Sequence, residues 1–199
     1  MAQSDTQKAR LGGAGAWLFR VLVVAAAGFM VYSWFTPWWG ADIAVLPGED
    51  HLLMRPWGIE VAGQVRANAD ESLWSMPWFF EPFMWTYLAV CMLALAASLF
   101  VQRRISLGRF SVSLAAVLIG FVGLSYLIAV GLAYGIGELR ADAAGSNFIG
   151  RSTVTHAMTG NKVRMVSDLK DGYWLALGAG PLLIVLALLR GLFVRKPKP

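Results

Sequence analysis

The sequence predicts an all-α integral membrane protein with four transmembrane helices and with both termini on the cytoplasmic side. Of its 199 residues, 57% are hydrophobic and only 15% are charged, a composition too apolar for an ordinary soluble domain. Four apolar runs have about 20 residues or more, which is the length that a helix needs to cross the hydrocarbon core. Basic residues concentrate in the two terminal segments and between the second and third runs, which would lie on the same side of the membrane. This distribution predicts the orientation of the helices.

The four apolar runs differ in length and in what interrupts them. The first follows Lys8 and Arg10, as the core of a secretory signal would. It continues into WFTPWWG instead of ending at a small-residue cleavage site, so we expect a retained helix. The third is longer than the hydrocarbon requires, which permits tilt, and the fourth contains Pro181, which favours a bend. The predicted spans are 16–35, 83–101, 110–136 and 173–194.

Charged residues are distributed unevenly across the predicted spans. One side carries ten of the 17 basic residues and only one of the 12 acidic residues, whereas the other side carries seven basic and eleven acidic residues. Cytoplasmic loops are enriched in Lys and Arg, so the basic segments 1–15, 102–109 and 195–199 are predicted to be cytoplasmic. Segments 36–82 and 137–172 are then extracytoplasmic loops of a protein in the cell (inner) membrane.

Tryptophan is distributed just as unevenly. Eight of the nine tryptophans lie in or next to the extracytoplasmic segments, and only Trp17 lies at the cytoplasmic boundary. Indole prefers the membrane interface, but anchoring alone does not require such asymmetry. We therefore expect the outer loops to contact the membrane surface or a partner. The tryptophans expected at this interface are Trp38, Trp39, Trp57, Trp74 and Trp78.

The two extracytoplasmic segments are too long to be simple connectors, so each is expected to have structure of its own. The first contains the β-compatible runs ADIAVLPGED and WGIEVAGQV, with a turn at Pro47 and Gly48. Its later part, ADESLWSMPWFFEPFMW, predicts a short interfacial helix. The second segment predicts a β-hairpin with its turn near Thr159, Gly160 and Asn161.

Two helix pairs that each enclose an extracytoplasmic loop give a layout that resembles the claudin-type tetraspan proteins. The resemblance covers the order of the spans along the chain and no sequence motif. The cysteine pair of that family's first loop has no counterpart here, because Cys91 is the single cysteine and lies within the second span. The resemblance therefore implies a tetraspan architecture, and no residue role is transferred from it.

Histidine and methionine in the outer loops suggest a candidate copper site. His51 and Met54 lie in the first loop, and His156 and Met158 lie in the second. Imidazole with thioether is a ligand set that copper accepts. The spacing includes no His-x-His pair and no cysteine, so histidines at a surface or an interface are the simpler interpretation. None of the spans contains a histidine, which argues against a haem, and apart from copper no intrinsic cofactor is expected.

The predicted spans offer little for transport. Arg20 and Arg190 lie near the cytoplasmic ends and the spans are otherwise uncharged, whereas ion paths place ionisable residues in the membrane interior. The net charge of +5 is divided by the membrane, so it forms no contiguous patch for nucleic acid. Gly131 and Gly135 form a GxxxG motif, which permits close helix contact either within the bundle or with a partner subunit.

A four-helix membrane protein without buried charges, haem ligands or a nucleotide motif is predicted to be a non-catalytic accessory or structural subunit of a larger membrane complex. Its partners would be other integral membrane subunits and lipid, with contact through the tryptophan-rich loops. A second hypothesis is a small subunit of a membrane-bound monooxygenase or respiratory oxidoreductase that contributes to a copper or quinone site. A third is a self-associating tetraspan protein that organises the membrane.

Overall fold

The computed structural model of the chain leaves several short segments outside its description. Most of the expected interfacial helix, the turn at Pro47 and Gly48, and the turn near Gly160 fall in those segments. The residues that the structure describes are 2–44, 46, 51–62, 65, 76–101, 103–107, 110–155 and 162–193.

Four long helices account for most of the described residues. Each contains a segment long and apolar enough to cross a membrane, of 22, 21, 30 and 20 residues in chain order. The prediction of a multi-pass membrane protein with four spanning helices is confirmed at this level. The helices are α1 (Ala2–Phe35), α2 (Phe80–Phe100), α3 (Leu114–Ala143) and α4 (Asp171–Phe193).

The third helix is shifted along the chain from its predicted position. It begins at Leu114 and not at residue 110, because β5 (Phe110–Ser113) pairs with β4 (Arg104–Leu107) in an antiparallel hairpin. It also continues seven residues past position 136 to Ala143, through the run Glu138, Leu139, Arg140 and Ala141, all of which favour a helix. The predicted cytoplasmic loop therefore contains a strand in its described part.

A five-stranded antiparallel sheet joins the two predicted outer loops, in the order β3-β2-β1-β7-β6. The prediction of an all-α class is wrong in this respect, although short strands in the loops were expected. Outside the apolar spans, the β-compatible runs satisfy their backbone N–H and C=O groups by pairing with each other. The strands are β1 (Trp39–Ile43), β2 (Leu52–Arg55), β3 (Gly58–Val61), β6 (Gly150–Thr155) and β7 (Lys162–Leu169).

The sheet has one buried face and one exposed face. Along β7 the side chains alternate strictly, with Val163, Met165 and Ser167 buried and the residues between them exposed. This is the period of two that a half-buried strand requires. On the buried face Met165 packs in one cluster with Ala41 of β1 and Leu52 of β2, so residues from both loops share a hydrophobic core.

The chain divides into two compact units. The first comprises Met1–Met30, Ala89–Leu127 and Gly178–Pro199, and it contains membrane-helix segments and the β4–β5 hairpin. The second comprises Val31–Leu88 and Ile128–Leu177 and contains the five-stranded sheet. Each unit has its own packing, and the features that bear on function lie mainly in the second.

In the first unit, α3 and α4 approach closely where two glycines meet. A Cβ atom at Gly123 would lie 2.8 Å from the carbonyl oxygen of Gly180, and a Cβ atom at Gly180 would lie 3.0 Å from the carbonyl oxygen of Gly123. Two helices come this near only where side chains are small. The helix contact therefore uses a glycine pair that the GxxxG motif does not include.

Arg190 is held by polar and aromatic groups of the first unit. Its guanidinium donates hydrogen bonds to the Ser113 hydroxyl and to the Val101 carbonyl oxygen, the latter at 3.4 Å. It also lies 5.7 Å from the centroid of the Phe19 ring, within range of a cation–π interaction. A charged side chain in an apolar helix is costly unless it is partnered, and these contacts supply partners.

Candidate functional site

Two of the tryptophans expected at a partner interface pack inside the second unit. The Trp38 side chain is buried, and its Nε1 donates a hydrogen bond to the Ser33 carbonyl oxygen at 2.9 Å. Trp39 stacks on Phe148, with ring centroids 5.6 Å apart and an interplanar angle of 4°, and its Nε1 donates to the Phe148 carbonyl oxygen at 2.7 Å. These indoles therefore connect segments of this chain to each other.

A third tryptophan, Trp57, belongs to an aromatic cluster that we define as Trp34, Phe35, Trp57, Trp85 and Tyr87. Trp34 is its centre, fully buried, with ring centroids of Trp57, Trp85 and Tyr87 at 6.3–6.4 Å. Trp57 and Trp85 stack at 5.0 Å. Such geometry adds to the free energy of apolar burial. The cluster thus joins the end of α1, the β2–β3 turn and the start of α2.

Trp78 differs from these three because 88% of its side chain is exposed. It precedes α2, next to Phe79, whose ring it meets edge to face at 6.0 Å. Trp74 lies outside the described residues. Among the described tryptophans that the sequence predicts at a partner interface, Trp78 is therefore the most exposed.

The exposed face of the β6–β7 hairpin carries three basic side chains, which we call the basic cluster: Arg151, Lys162 and Arg164. In the register, Arg164 pairs with Thr153 and Arg151 pairs with Val166, so Arg151 and Arg164 are diagonal neighbours on one face. Such neighbours lie about 7–8 Å apart. None of the three forms an ion pair with a described residue, whereas Lys170 pairs with Asp168 at 3.2 Å. Among the described residues, the cluster is thus a positive patch without an ion-pair partner.

The same hairpin supplies one edge of the sheet. Strand β6 is the last in the order, and within the described residues β7 is its one hydrogen-bonded neighbour. An edge strand presents backbone N–H and C=O groups to which another chain can add. The basic cluster and this edge are adjacent, so one side of the sheet combines positive charge with an edge strand. The Arg151 carbonyl oxygen of that strand accepts a hydrogen bond from the Asn147 side chain at 2.9 Å.

His51, half of the candidate copper pair in the first loop, has a structural environment. Its side chain is buried, and Nδ1 accepts a hydrogen bond from the Ile43 backbone N–H at 3.2 Å. Accepting at Nδ1 leaves the proton of the neutral ring on Nε2, which is buried and has no partner among the described residues. The Asp42 carboxylate lies 3.5 Å from Nδ1, but a nitrogen that accepts from Ile43 cannot also donate to Asp42. Coordination through Nε2 would require the proton to move to Nδ1, and the hydrogen bond from the Ile43 N–H would then be lost.

The remaining members of the copper set add little to this picture. Met54 lies in β2, in register with Trp39, while His156 and Met158 lie outside the described residues. Among the residues that the structure describes, no three or more His, Cys, Asp or Glu side chains are grouped as metal ligands would be. Copper binding remains a prediction, and the described part of the site adds no support for it.

The GxxxG glycines make no close contact in the described part of the second unit. No described atom lies within 4 Å of a Cβ atom built at Gly131 or at Gly135. The motif was interpreted as a contact either with another helix of this chain or with a helix of a partner subunit. In the described part of the chain, no helix lies against these two positions. A partner helix is the interpretation that remains, because the space beside both glycines is open.

Comparison with known proteins gives no family assignment. No protein-family model matches this sequence, and no curated protein is significantly similar to it.

Proposed function

We propose that this chain is a non-catalytic accessory subunit of a larger membrane complex, and that its sheet binds an acidic surface of a partner subunit. The basic cluster of Arg151, Lys162 and Arg164 is the observation that supports this most directly. Three like charges on one face repel each other, and carboxylates of a partner would neutralise them. Electrostatic complementarity of this kind sets specificity and the rate of association.

The sheet is suited to binding because several contacts hold it in place within the second unit. Backbone hydrogen bonds run from Trp38 N–H to the Met54 carbonyl oxygen at 2.8 Å and from Lys170 N–H to the Trp38 carbonyl oxygen at 3.0 Å. Another runs from Gly172 N–H to the Pro37 carbonyl oxygen at 3.0 Å. A surface ordered in advance loses less conformational entropy on association. Because Trp38, Trp39 and Trp57 pack within the chain, we assign the contact to the basic cluster and the β6 edge.

We propose the cell (inner) membrane as the location, with both termini cytoplasmic and the sheet on the opposite side. The excess of Lys and Arg in the terminal segments and between α2 and α3 supports this orientation. In whole cells, a Thr153→Cys variant is expected to react with a membrane-impermeant maleimide, because Thr153 is exposed on β6. Buried Cys91 should give little background. An Arg103→Cys control should react only after permeabilisation, and the reverse pattern would overturn the orientation.

The partner-binding proposal predicts that charge reversal on the sheet releases the partner. Gentle detergent extraction followed by native mass spectrometry should find the wild-type chain with a stoichiometric partner. The double substitution Arg151→Glu and Arg164→Glu is expected to reduce the bound fraction about tenfold or more, since two attractive contacts become repulsive. The charge reversal Arg103→Glu, at an exposed arginine outside the sheet and outside the basic cluster, should leave the bound fraction unchanged.

Each alternative gives a different result in the same experiment. A wild-type chain that is monomeric under gentle extraction would contradict the accessory-subunit proposal. Assemblies that contain only copies of this chain would instead support the self-associating tetraspan hypothesis. A partner retained equally by the double variant would contradict the role of the basic cluster, provided that melting curves of variant and wild type coincide.

A further inference from the structure

A shallow cavity of about 230 Å³ lies in the second unit between the β2–β3 turn and the start of α2. Its lining residues include Trp57, Trp78, Met76 and Glu81. We propose that this cavity binds the ammonium-bearing headgroup of a zwitterionic phospholipid. This inference is independent of the accessory-subunit proposal, because none of these residues belongs to the basic cluster.

The aromatic walls of the cavity have different roles. Trp57 is fixed by the aromatic cluster, because it stacks on Trp85 at 5.0 Å and meets Phe35 at 5.5 Å. Trp78 is 88% exposed and follows Pro77, whose carbonyl oxygen accepts a hydrogen bond from the Phe80 N–H at 2.8 Å. An exposed indole face attracts a cation. Trp57 therefore forms a fixed wall, and Trp78 offers the surface that an ammonium group would contact.

An acidic residue of the lining and an arginine that contacts the lining both lack an ion-pair partner among the described residues. Glu81 lines the cavity, and Arg140 donates a hydrogen bond to the Met76 sulfur at 3.4 Å. A thioether is a weak acceptor, so the guanidinium retains most of its capacity to bind an anion. Arg55, in contrast, is occupied, since its Nε lies 3.2 Å from a Glu60 carboxylate oxygen and its Nη1 donates to the Phe35 carbonyl oxygen.

A zwitterionic headgroup matches this arrangement of charges. Its ammonium group would lie beside Glu81 and the face of Trp78, while its phosphate would lie towards Arg140. The cavity volume is below the range of about 300–1,000 Å³ found for sites that enclose a drug-sized ligand. The cavity therefore has room for a headgroup and leaves the rest of the molecule outside.

The surroundings of the cavity favour a lipid over a free amine. Glu81 lies in the first turn of α2, which is long and apolar enough to span a membrane. The neighbouring Phe79 and Phe83 are 54% and 62% exposed. Aromatic side chains concentrate where a membrane helix meets the headgroup layer. Acyl chains attached to the bound headgroup would lie along this exposed apolar surface.

Native mass spectrometry of the purified full chain, titrated with lipids that have identical acyl chains, tests the inference. The wild type is expected to bind phosphatidylethanolamine about fivefold more tightly than phosphatidylglycerol, which has the phosphate without the ammonium. Glu81→Gln and Trp78→Ala should each weaken binding of phosphatidylethanolamine by about threefold to fivefold. Glu138→Gln, at an exposed carboxylate of α3 that does not line the cavity, should have no effect.

A further variant and a competition experiment identify which part of the lipid the cavity recognises. Arg140→Gln is expected to weaken both lipids by a similar factor, because both carry phosphate. Equal affinity of the wild type for the two lipids, or a lipid preference that survives Glu81→Gln, would overturn the inference. Free ethanolamine that competes with phosphatidylethanolamine at equal concentration would identify an amine site and would contradict a lipid site. Coincident melting curves of Trp78→Ala and wild type exclude loss of the fold as the cause.

Discussion

Replacement of Trp34 by alanine is expected to lower the free energy of unfolding by about 3–5 kcal/mol, the range for deletion of a large aromatic side chain from a core. Trp34 is fully buried at the centre of the aromatic cluster, and Trp57, Trp85 and Tyr87 all pack against it. Its removal leaves a cavity that these large rings cannot fill without losing their own contacts. Thermal unfolding in detergent, followed by circular dichroism, measures the effect.

Two further variants test whether the loss of stability in Trp34→Ala comes from lost core packing. Trp17→Ala makes the same chemical change at a side chain that is 67% exposed, and it should alter stability by less than about 0.5 kcal/mol. Trp34→Phe keeps an aromatic ring and removes an indole N–H that is buried without a partner among the described residues. Its effect should therefore be well below that of Trp34→Ala. Equal losses for Trp34→Ala and Trp17→Ala would contradict the central role of the cluster.

The location of these indoles could not be predicted from the sequence. An indole has an apolar body and a polar N–H, so it suits both a membrane interface and a buried cluster. Trp38 satisfies its N–H five residues away at Ser33, and Trp39 satisfies its own 109 residues away at Phe148. No local pattern indicates the second contact. The concentration of tryptophan in the outer segments was visible, but its burial depends on the tertiary fold.

The spanning helices were predictable because a long apolar run has few alternatives in a membrane. Their ends were less predictable, since hydropathy marks where apolar residues stop and not where the helical hydrogen bonds stop. Glu138 and Arg140 lie beyond the apolar run, yet they continue α3. Phe110 is apolar, yet it pairs with Leu107 in a strand. Backbone pairing and helix propensity decided these boundaries.

The basic cluster was predictable in part. The run KVRMVSDL begins by alternating polar and apolar residues, which places Lys162 and Arg164 on one face of a strand. The position of Arg151 beside them depends on the hairpin register, and a slip of one residue would move it to the other face. Pairing of β1 with β7 joins segments from separate loops. Register and long-range pairing are tertiary properties, so the complete cluster emerged only in the folded chain.

Substitution of Gly123 by leucine is expected to separate α3 from α4 in the first unit and to destabilise the chain by about 1–3 kcal/mol or more. A Cβ atom there would lie 2.8 Å from the Gly180 carbonyl oxygen and 2.9 Å from the Leu183 Cβ atom. A backbone carbonyl cannot rotate away as a flexible side chain can, so the helices themselves must shift. Thermal unfolding in detergent should show a clear decrease in the midpoint temperature.

Gly131→Leu is the matched control, because it makes the same substitution in the same helix. Both substitutions raise helix propensity equally, so the difference between them isolates packing. No described atom lies within 4 Å of a Cβ at Gly131, and this variant should unfold at or slightly above the wild-type temperature. Equal destabilisation by both would contradict the assignment of the contact to Gly123 and Gly180.

If Gly131 and Gly135 pack against a partner helix, Gly131→Leu should release the partner in native mass spectrometry while leaving the chain itself stable. Release of the partner without loss of stability is an effect that Gly123→Leu cannot produce, so the two variants distinguish helix packing within the chain from helix packing between subunits.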